Sequence, residues 1–206
     1  MGITFGEMTD RLARRLNDQA HTAYSLDEKE DAINESMREV EMLARCNPAV
    51  VTAAAVAGQS DYPAVDGSNR IFELLEVSFD GTLLRRVASP GALAVGNEAH
   101  NGEGQGVPTH WHPGGMGAIL YPTPGAEEAG KQIVIRGYGV QADLSDPADT
   151  ADGIPEPFCE CAILDRAEAK LRLRRPTVAN NPAVATALLS VADRWVTAIV
   201  DAIRSR

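Results

Sequence analysis

Apolar residues recur at helical spacing near the N-terminus of the chain. The first stripe, at spacings of three, four and four residues, consists of Phe5, Met8, Leu12 and Leu16. Such spacing places side chains on one face of a helix. Thr4 followed by Glu7 forms a capping-box pattern, in which the two residues satisfy free backbone N–H groups of the first turn. The sequence therefore predicts a first helix from about Phe5 to Asn17.

A second helix is predicted from a second capping box, formed by Ser25 and Glu28. Its apolar stripe consists of Leu26, Ile33, Met37, Val40 and Leu43. Asn47 ends the helix, because the residue before a proline, here Pro48, is pushed out of helical geometry. The short joint between the two predicted helices indicates an antiparallel helical hairpin.

The middle of the chain alternates with period two instead, as half-buried strands do. Leu75, Val77 and Phe79 alternate with polar residues, and Leu74 has the opposite phase, which predicts a bulge near Leu74–Leu75. The dipeptide Asp80-Gly81 then predicts a tight two-residue hairpin turn. The β core predicted from these and later strands consists of Leu75, Val77, Phe79, Ile119, Tyr121, Ile133 and Ile135.

Helical spacing returns in the C-terminal part of the chain. The apolar face of the third predicted helix consists of Phe158, Cys161, Leu164, Ala167 and Leu171. Pro176 ends this helix, and Asn181-Pro182 is a cap-and-first-turn pattern that starts a fourth. Two apolar stripes follow on the fourth helix, namely Val184, Leu188, Val191, Trp195, Ile199 and Ala202, and Leu189, Val196, Val200 and Ile203. A helix that is apolar on more than one side packs against more than one neighbour.

These patterns predict an α+β fold in which an antiparallel β domain is inserted into a helical bundle. Residues 1–48 and 154–206 supply the bundle, with two N-terminal and two C-terminal helices. Residues 49–142 supply the β domain, and residues 143–153 an acidic linker exposed to solvent. The glycine-rich loop 89–106 is expected to be a mobile surface loop, because it lacks the Lys and the following helix of a phosphate-binding loop.

Composition narrows the classes of function. With 206 residues, 44% of them hydrophobic, the chain suits one or two folded units. The formal net charge of −10 argues against a protein that grips nucleic acid by neutralising phosphates over a broad basic surface. No apolar run approaches the roughly 18 residues of a membrane span, and the N-terminus lacks a secretory signal pattern, so no membrane partner is expected.

Candidate catalytic chemistry is sparse. His110 and His112 lie at i and i+2, so a strand would place both on one face, where a third ligand would complete a metal site. No third ligand is fixed by the sequence, and both histidines are expected to be surface residues. Cys46, Cys159 and Cys161 lack metal-binding spacing and are interpreted as buried thiols. No nucleophile, zinc or phosphate-loop motif occurs, so we expect neither enzymatic activity nor a metal or cofactor.

Short motifs occur along the chain in an order and spacing that match one family. The N-terminal motifs are Thr4-Phe5-Gly6-Glu7, Ala13-Arg14-Arg15-Leu16, Tyr24-Ser25 and the run from Asp31 to Val40. The central motifs are Asp61-Tyr62-Pro63, Ile71 to Val77, Asp80-Gly81, Gly106 to Trp111 and Leu120 to Pro124. The C-terminal motifs are Asp143-Leu144-Ser145, Ile154-Pro155-Glu156 and Ala167 to Lys170. Over most of the chain they resemble the head-to-tail adaptor, or head-completion, proteins of tailed bacteriophages and related gene-transfer particles.

The resemblance implies a structural protein of the virion neck, assembled in the cytoplasm of a host bacterium. Copies of such proteins form a ring, usually twelve-fold, under the portal protein. The ring extends the DNA channel, through which DNA passes without sequence-specific binding, and offers a platform to the next neck or tail protein. The glycine-rich stretch before Val107 departs from the family pattern.

The surplus apolar surface of the fourth helix makes it the candidate docking element for the portal or an adjacent subunit. The candidate interface residues are Trp195, Ile199, Ile203, Arg172, Arg174 and Arg175. Two other readings stay open. One is a phage baseplate or fibre-associated binding module, and the other a metal-dependent hydrolase that uses His110 and His112.

Overall fold

The structure is a computed structural model that describes residues 2–67, 69–88, 104–156, 158–175 and 182–205. It is α+β, as the sequence predicts, with four α-helices and ten β-strands in these ranges. Most of the glycine-rich loop 89–106, and the predicted helix boundaries at Pro176 and Asn181, lie outside the described residues.

Contacts divide the chain into two units. Met1–Asn47 and Gln141–Arg206 form one, called here the helical unit, and Pro48–Val140 form the other, called the β unit. The helices of the helical unit are α1 (Phe5–Arg15), α2 (Leu26–Ala44), α3 (Phe158–Arg174) and α4 (Pro182–Arg204).

Both predicted capping boxes form, and they set where α1 and α2 begin. The Thr4 side chain accepts a hydrogen bond from the backbone N–H of Glu7, and the Glu7 side chain accepts one from the backbone N–H of Thr4. Ser25 and Glu28 form the same pair of hydrogen bonds at the start of α2. The first helix ends at Arg15, earlier than predicted, because Asn17 adopts a left-handed backbone with φ of 53°. Helix starts that are readable from a side-chain pattern are thus better predicted than helix ends.

Buried polar groups hold the joint between α1 and α2. The Asp18 carboxylate accepts hydrogen bonds from the backbone N–H groups of Thr22, Ala23 and Tyr24. The ammonium of Lys29, fully buried, lies 2.9 Å from it. Burial alone would raise the pKa of Asp18, but the Lys29 and backbone hydrogen bonds outweigh it and hold that pKa well below its ordinary value. The joint is therefore an ordered turn built around one carboxylate.

The core of the helical unit follows the predicted stripes in the middle of each helix and departs from them at the ends. Ile33, Met37 and Val40 of α2 are fully buried. Leu26 is 45% exposed and Leu43 57% exposed, because they lie in the first and last turns of α2. Periodicity thus identifies the face of the helix but not how far along it the neighbouring helices reach.

The predicted acidic linker is instead packed against the helical unit. Leu144, Ala151 and Ile154 are buried and join the helical core. The side-chain amide of Asn34 donates to the carbonyl of Leu144, and its oxygen accepts the Leu144 N–H, at 3.1 and 2.8 Å. The prediction of a solvated linker was wrong because the acids face outward while the apolar residues between them reach the core.

In its described residues, the β unit contains two four-stranded sheets and one two-stranded sheet. Sheet 1 has the order β1-β10-β3-β4, sheet 2 the order β2-β8-β7-β5, and β6 pairs with β9. The first five strands are β1 (Pro48–Ala54), β2 (Asp61–Pro63), β3 (Asn69–Phe79), β4 (Thr82–Leu83) and β5 (Arg85–Arg86). The other five are β6 (Gln105–Gly106), β7 (His110–Gly114), β8 (Gly117–Tyr121), β9 (Thr123–Pro124) and β10 (Gln132–Gln141).

The predicted hairpin between β3 and β4 is present. Phe79 pairs with Thr82, which leaves Asp80 and Gly81 as a two-residue turn. Their φ angles are 47° and 78°, the left-handed values that such a turn requires. Aspartate and glycine tolerate these values, so this local signal fixes the hairpin.

The β core agrees with the prediction except near the middle of β3. Val77, Phe79, Ile133 and Ile135 are buried, and most of the predicted members therefore stand. Leu75 was predicted to be buried but is 49% exposed, whereas its neighbour Leu74 packs against the core. Ile71, Val77 and Phe79 are buried at alternating spacing, but Leu75, which has the same spacing, is exposed, so simple alternation assigns it to the wrong side. Tyr121 and Ile119 are half-buried.

We expect Val77→Asp to abolish cooperative unfolding of the β unit. Val77 is fully buried, so the variant places an unpaired carboxylate in the core at a cost of several kcal/mol. Leu75→Asp is the matched control on the same strand, because that position is already half open to solvent. Thermal denaturation followed by circular dichroism measures both. Equal melting temperatures for the two variants would contradict the assignment of strand faces.

Candidate functional site

Helix α3 lies at the centre of the helical unit. It contacts α1, α2 and α4, and its apolar residues Ala162, Ile163, Leu164 and Ala167 are fully buried. Helix α3 is buried well beyond the single face that was predicted for it. The middle of the helix, from Ala162 to Ala169, therefore has no solvent-facing side for its charged residues.

The buried Asp165 of α3 joins two neighbouring helices. One carboxylate oxygen lies 2.6 Å from the Arg15 guanidinium of α1, and the other accepts the indole N–H of Trp195 on α4 at 3.0 Å. Asp165 is 8% exposed. A buried carboxylate needs such partners, because removing one of them leaves an uncompensated charge.

Arg166 makes the corresponding contacts with α2 and α4. Its guanidinium lies 3.3 Å from the Glu39 carboxylate of α2 and 2.5 Å from the Asp193 carboxylate of α4. One turn further along, the Lys170 ammonium lies 2.8 Å from the same Glu39 carboxylate. The charges of α3 therefore fix the register of this helix against each of its neighbours.

The three arginines predicted as interface residues all make ion pairs within the helical unit. Arg172 lies 2.8 Å from Glu168, Arg174 lies 3.1 Å from Glu35, and Arg175 lies 2.8 Å from Glu28. The Arg175 guanidinium also stands 5.3 Å from the centre of the Tyr24 ring. The three arginines are paired with acids of their own subunit. A partner protein would therefore contact a cluster of ion pairs at the end of α3.

The three predicted apolar anchors lie on the inward face of α4. Ile199 is fully buried in its own subunit, so the structure corrects its assignment as a partner contact. Trp195 and Ile203 are half-buried and pack against the helical core, with the Trp195 ring 6.3 Å from that of Phe158. Part of the Trp195 and Ile203 side chains stays exposed to solvent.

Sequence reasoning missed the outward face of α4. Its exposed residues are small or polar in the main: Ala183, Val184, Thr186, Ala187, Ser190, Asp193, Arg194, Thr197, Asp201 and Arg204. The seven-residue spacing of the buried Ala185, Ala192 and Ile199 would have located the inward side. The predicted stripes did not include these two alanines.

Helix α4 is also unusually apolar for so exposed an element. Its most apolar window of 18 residues has a mean hydropathy of 1.5, and 17% of that window is buried. By length and composition alone it is one helix that qualifies to cross a membrane, contrary to the sequence expectation. Core helices of soluble proteins meet the same two criteria. Here Ala185, Ala192 and Ile199 are fully buried, and Trp195, Val196, Val200 and Ile203 pack against the helical core with part of their surface exposed.

The two candidate metal-binding histidines occupy different environments. His110 is half-buried, and its Nδ1 lies 2.9 Å from the Thr109 hydroxyl. His112 was predicted to be a surface residue but is 8% exposed, with its ring 5.4 Å from that of Tyr121. Its Nδ1 has no hydrogen-bond partner among the described residues. Those residues also contain no group of three metal-ligating side chains, which leaves the hydrolase reading without structural support.

The cysteines behave mainly as buried thiols. Cys46 and Cys159 are buried, and burial raises the pKa of each thiol to about 12. Cys161 is half-buried, and burial also raises its pKa. A thiol with a raised pKa is a weak nucleophile because little thiolate forms at neutral pH.

Glu41 is a buried acid beside the two points where the chain leaves and re-enters the helical unit. Its carboxylate accepts the side-chain N–H of Asn47 at 3.1 Å and the backbone N–H of Gln141 at 2.9 Å. A Cβ on Gly153 would collide with the Glu41 Oε1, so a larger residue there would displace the carboxylate. Burial raises the pKa of Glu41 to about 7, against the opposing effect of the two hydrogen bonds.

A sequence profile described as SU10 adaptor protein matches residues 3–187. The chain belongs to the SU10 adaptor protein family. The match spans both units and ends within α4. No curated protein matches the chain.

Membership in the SU10 adaptor family supports a bacteriophage structural protein of the head-to-tail adaptor kind. It makes the chain a virion component that contacts other head or tail proteins. It also favours a non-enzymatic role, in agreement with the sequence expectation.

Glu41 should make stability depend on pH between about 4.5 and 7. The raised pKa means that the folded protein binds this proton more tightly than the unfolded chain does. Proton binding by Glu41 therefore stabilises the fold fully below pH 4.5, and this contribution is lost as the pH rises through 7. A pKa moved from 4.5 to about 7 corresponds to on the order of 3 kcal/mol. Denaturant unfolding across this range should show that Glu41→Gln flattens the dependence, whereas the exposed control Asp31→Asn preserves it. An unchanged slope in Glu41→Gln would contradict the assignment.

The two histidines should respond differently to truncation. We expect His110→Ala to change the free energy of unfolding by no more than about 0.5 kcal/mol, and His112→Ala to lower it by roughly 2 kcal/mol because a cavity remains. His112→Leu, which refills much of the space and removes the unpartnered nitrogen, should recover most of that loss. Denaturant unfolding of the three variants measures this. Equal effects of the two alanine variants would refute the burial of His112.

Proposed function

We propose that the chain is a ring-forming subunit of the head-to-tail connector of a tailed phage. Copies assemble under the portal protein, extend the channel through which DNA leaves the head, and present a platform to the next neck or tail protein. The observation that carries this proposal is the SU10 adaptor match, which covers residues 3–187 rather than a local motif. The ring is expected to be twelve-fold, as in the family that the sequence resembles.

The charge of the chain supports a channel through which DNA slides. At a formal net charge of −10, the protein as a whole repels phosphates, whereas proteins that hold DNA neutralise them with Lys and Arg. The basic side chains at the end of α3 are engaged by acids of α2 and α3. We therefore propose contact with DNA without sequence-specific binding.

Helix α4 is the proposed docking element for the portal or for an adjacent subunit. It is apolar, yet only 17% of its most apolar window is buried within the subunit. Of the predicted anchors, Trp195 and Ile203 keep exposed edges, and the outward face of α4 adds new contact surface. The paired cluster of Arg172, Arg174 and Arg175 at the end of α3 is a second proposed contact.

We expect charged substitutions on the outward face of α4 to block assembly without unfolding the subunit. Ala187→Glu and Thr197→Glu place carboxylates at exposed positions, so the fold should tolerate them, whereas a buried interface should not. Met42→Glu on α2, at a position 49% exposed, is the control. Truncation within α4 is avoided because it would remove the core residue Ile199.

The readout is complementation of a phage that lacks the chain. Each variant is first shown to be folded by circular dichroism and is then supplied during infection, and tailed particles are counted by electron microscopy. The proposal predicts filled but tailless heads for the two α4 variants and tailed particles for Met42→Glu. Tailed particles with every folded variant would refute docking through α4. Tailed heads in the complete absence of the chain would refute the adaptor role and point to the baseplate or fibre alternative.

A further inference from the structure

Sheet 2 has one face in the core of the β unit and one face turned away from it. The register aligns Trp111 of β7 with Leu120 of β8, and both side chains are buried in the core. Successive side chains of a strand point to opposite faces of a sheet, so the neighbouring register row lies on the outer face. That row consists of Arg85 on β5, His110 on β7 and Tyr121 on β8.

These three residues, called here the outer row, lie side by side on three neighbouring strands. The backbone N–H of Arg85 donates to the carbonyl of Thr109 at 3.0 Å, which holds β5 against the start of β7. Neighbouring strands lie about 4.8 Å apart, so the backbone of the outer row spans roughly 10 Å. Arg85 is exposed, and His110 and Tyr121 are half-buried, so the row is open to a partner.

Each member of the outer row has a polar group that no described residue engages. The Arg85 guanidinium and the Tyr121 hydroxyl form no hydrogen bond or ion pair within the described part of the chain. The Thr109 hydroxyl lies 2.9 Å from Nδ1 of His110, which leaves Nε2 as the free ring nitrogen. Burial raises the pKa of Tyr121, so its hydroxyl keeps its proton at neutral pH and can donate.

A fourth polar group lies beside the outer row. His112 is on the same face of β7, two residues after His110, with its ring 5.4 Å from the ring of Tyr121. It is 8% exposed, and its buried Nδ1 has no partner among the described residues. Each buried polar atom without a partner in a native fold calls for a physical explanation. A ligand oxygen held at this face would supply one, because a neutral imidazole can carry its proton on Nδ1.

The positive charge of Arg85 is not neutralised within sheet 2. The one acid in the described strands of this sheet is Asp61, on β2. Strands β2 and β5 are the two edges of the sheet, so their backbones are three strand spacings, roughly 14 Å, apart. Salt screens exposed charges over about 10 Å at moderate ionic strength. By contrast, the arginines at the end of α3 are each paired with an acid.

We propose that the outer row, together with His112, binds phosphate groups of the DNA backbone. The choice of DNA rests on the proposed adaptor role, in which DNA passes the subunit. A guanidinium engages two phosphate oxygens in a bidentate pair, and imidazole and phenol groups donate to further oxygens. Phosphate contacts position DNA but carry no sequence information, so the site agrees with contact that is not sequence-specific.

The shape of the site favours a phosphate backbone over the acidic side chain of another protein. Arg85 alone can engage both oxygens of one carboxylate, which would leave the rest of the outer row unused. Phosphates recur along a DNA strand at about 3.4 Å of helix axis, so a row of roughly 10 Å can contact more than one of them. A line of donors therefore matches a line of repeated acceptors.

Two arginines on the same strand give a matched test. Arg85→Gln removes a charge from the outer row. Arg86→Gln removes the same charge from the other face, where the guanidinium stands 5.5 Å from the centre of the Trp111 ring. Binding of the full-length protein to a short labelled DNA duplex is measured by fluorescence anisotropy over a salt series that begins at low salt.

We expect Arg85→Gln to weaken DNA binding by about tenfold, because it removes a charged hydrogen-bond pair. It should also lower the slope of log affinity against log salt by about one. Arg86→Gln should leave both quantities close to those of the wild type. Proton NMR of the wild type should show that the duplex shifts the ring signals of His110 and His112 but not those of His21 in the helical unit.

Circular dichroism first establishes that each variant is folded. Wild-type protein without salt-sensitive binding to the duplex would overturn the proposal. Equal losses in the two arginine variants would also overturn it, because the attraction would then be general and not confined to the outer row. Two further arms use polyglutamate and inorganic phosphate as probes. Arg85-dependent binding of either probe that equals or exceeds binding of the duplex would reject DNA as the partner. The adaptor role is tested separately by phage complementation.

Discussion

The helical unit depends on the pairing of charges in the middle of a helix that other helices enclose. Helix α3 is surrounded by α1, α2 and α4, yet it carries Asp165 and Arg166, each less than a tenth exposed. Each finds its partners on two neighbouring helices, so all four helices are held in one arrangement. Apolar packing alone tolerates sliding between helices, whereas a buried charge left unpaired is strongly unfavourable. The ion pairs therefore act as much on the specificity of the packing as on its strength.

This arrangement explains why α4 is available for assembly. The inner side of α4 is anchored by Ile199 in the core and by Trp195 on the Asp165 carboxylate. Its outward face is small or polar in the main and stays open within the subunit. A rigid bundle that presents one long, incompletely buried helix is suited to a structural adaptor, whose role is to join larger assemblies. The β unit has its own core, separate from that of the helical unit.

Local signals in the sequence were sufficient for much of the fold. Capping boxes located the starts of α1 and α2, and Asp80-Gly81 located a hairpin, because these features depend on neighbouring residues alone. Burial was predicted less well, since it depends on elements far away in sequence. Leu75 has the spacing of a core residue but lies outside the core, and His112 has the polarity of a surface residue but lies inside. The partners of Asp165 and Arg166 lie on three other helices, so the sequence around these two residues does not reveal them.

The central claim is that the chain is a structural adaptor at the junction of head and tail. Cryo-electron microscopy of intact particles, reconstructed around the portal vertex, tests it most directly. The account predicts copies of the four-helix unit arranged around the DNA channel between the portal and the first tail component, with α4 in contact with a neighbouring protein. Localisation of the chain at the baseplate or fibres, or its absence from the purified particle, would contradict the account.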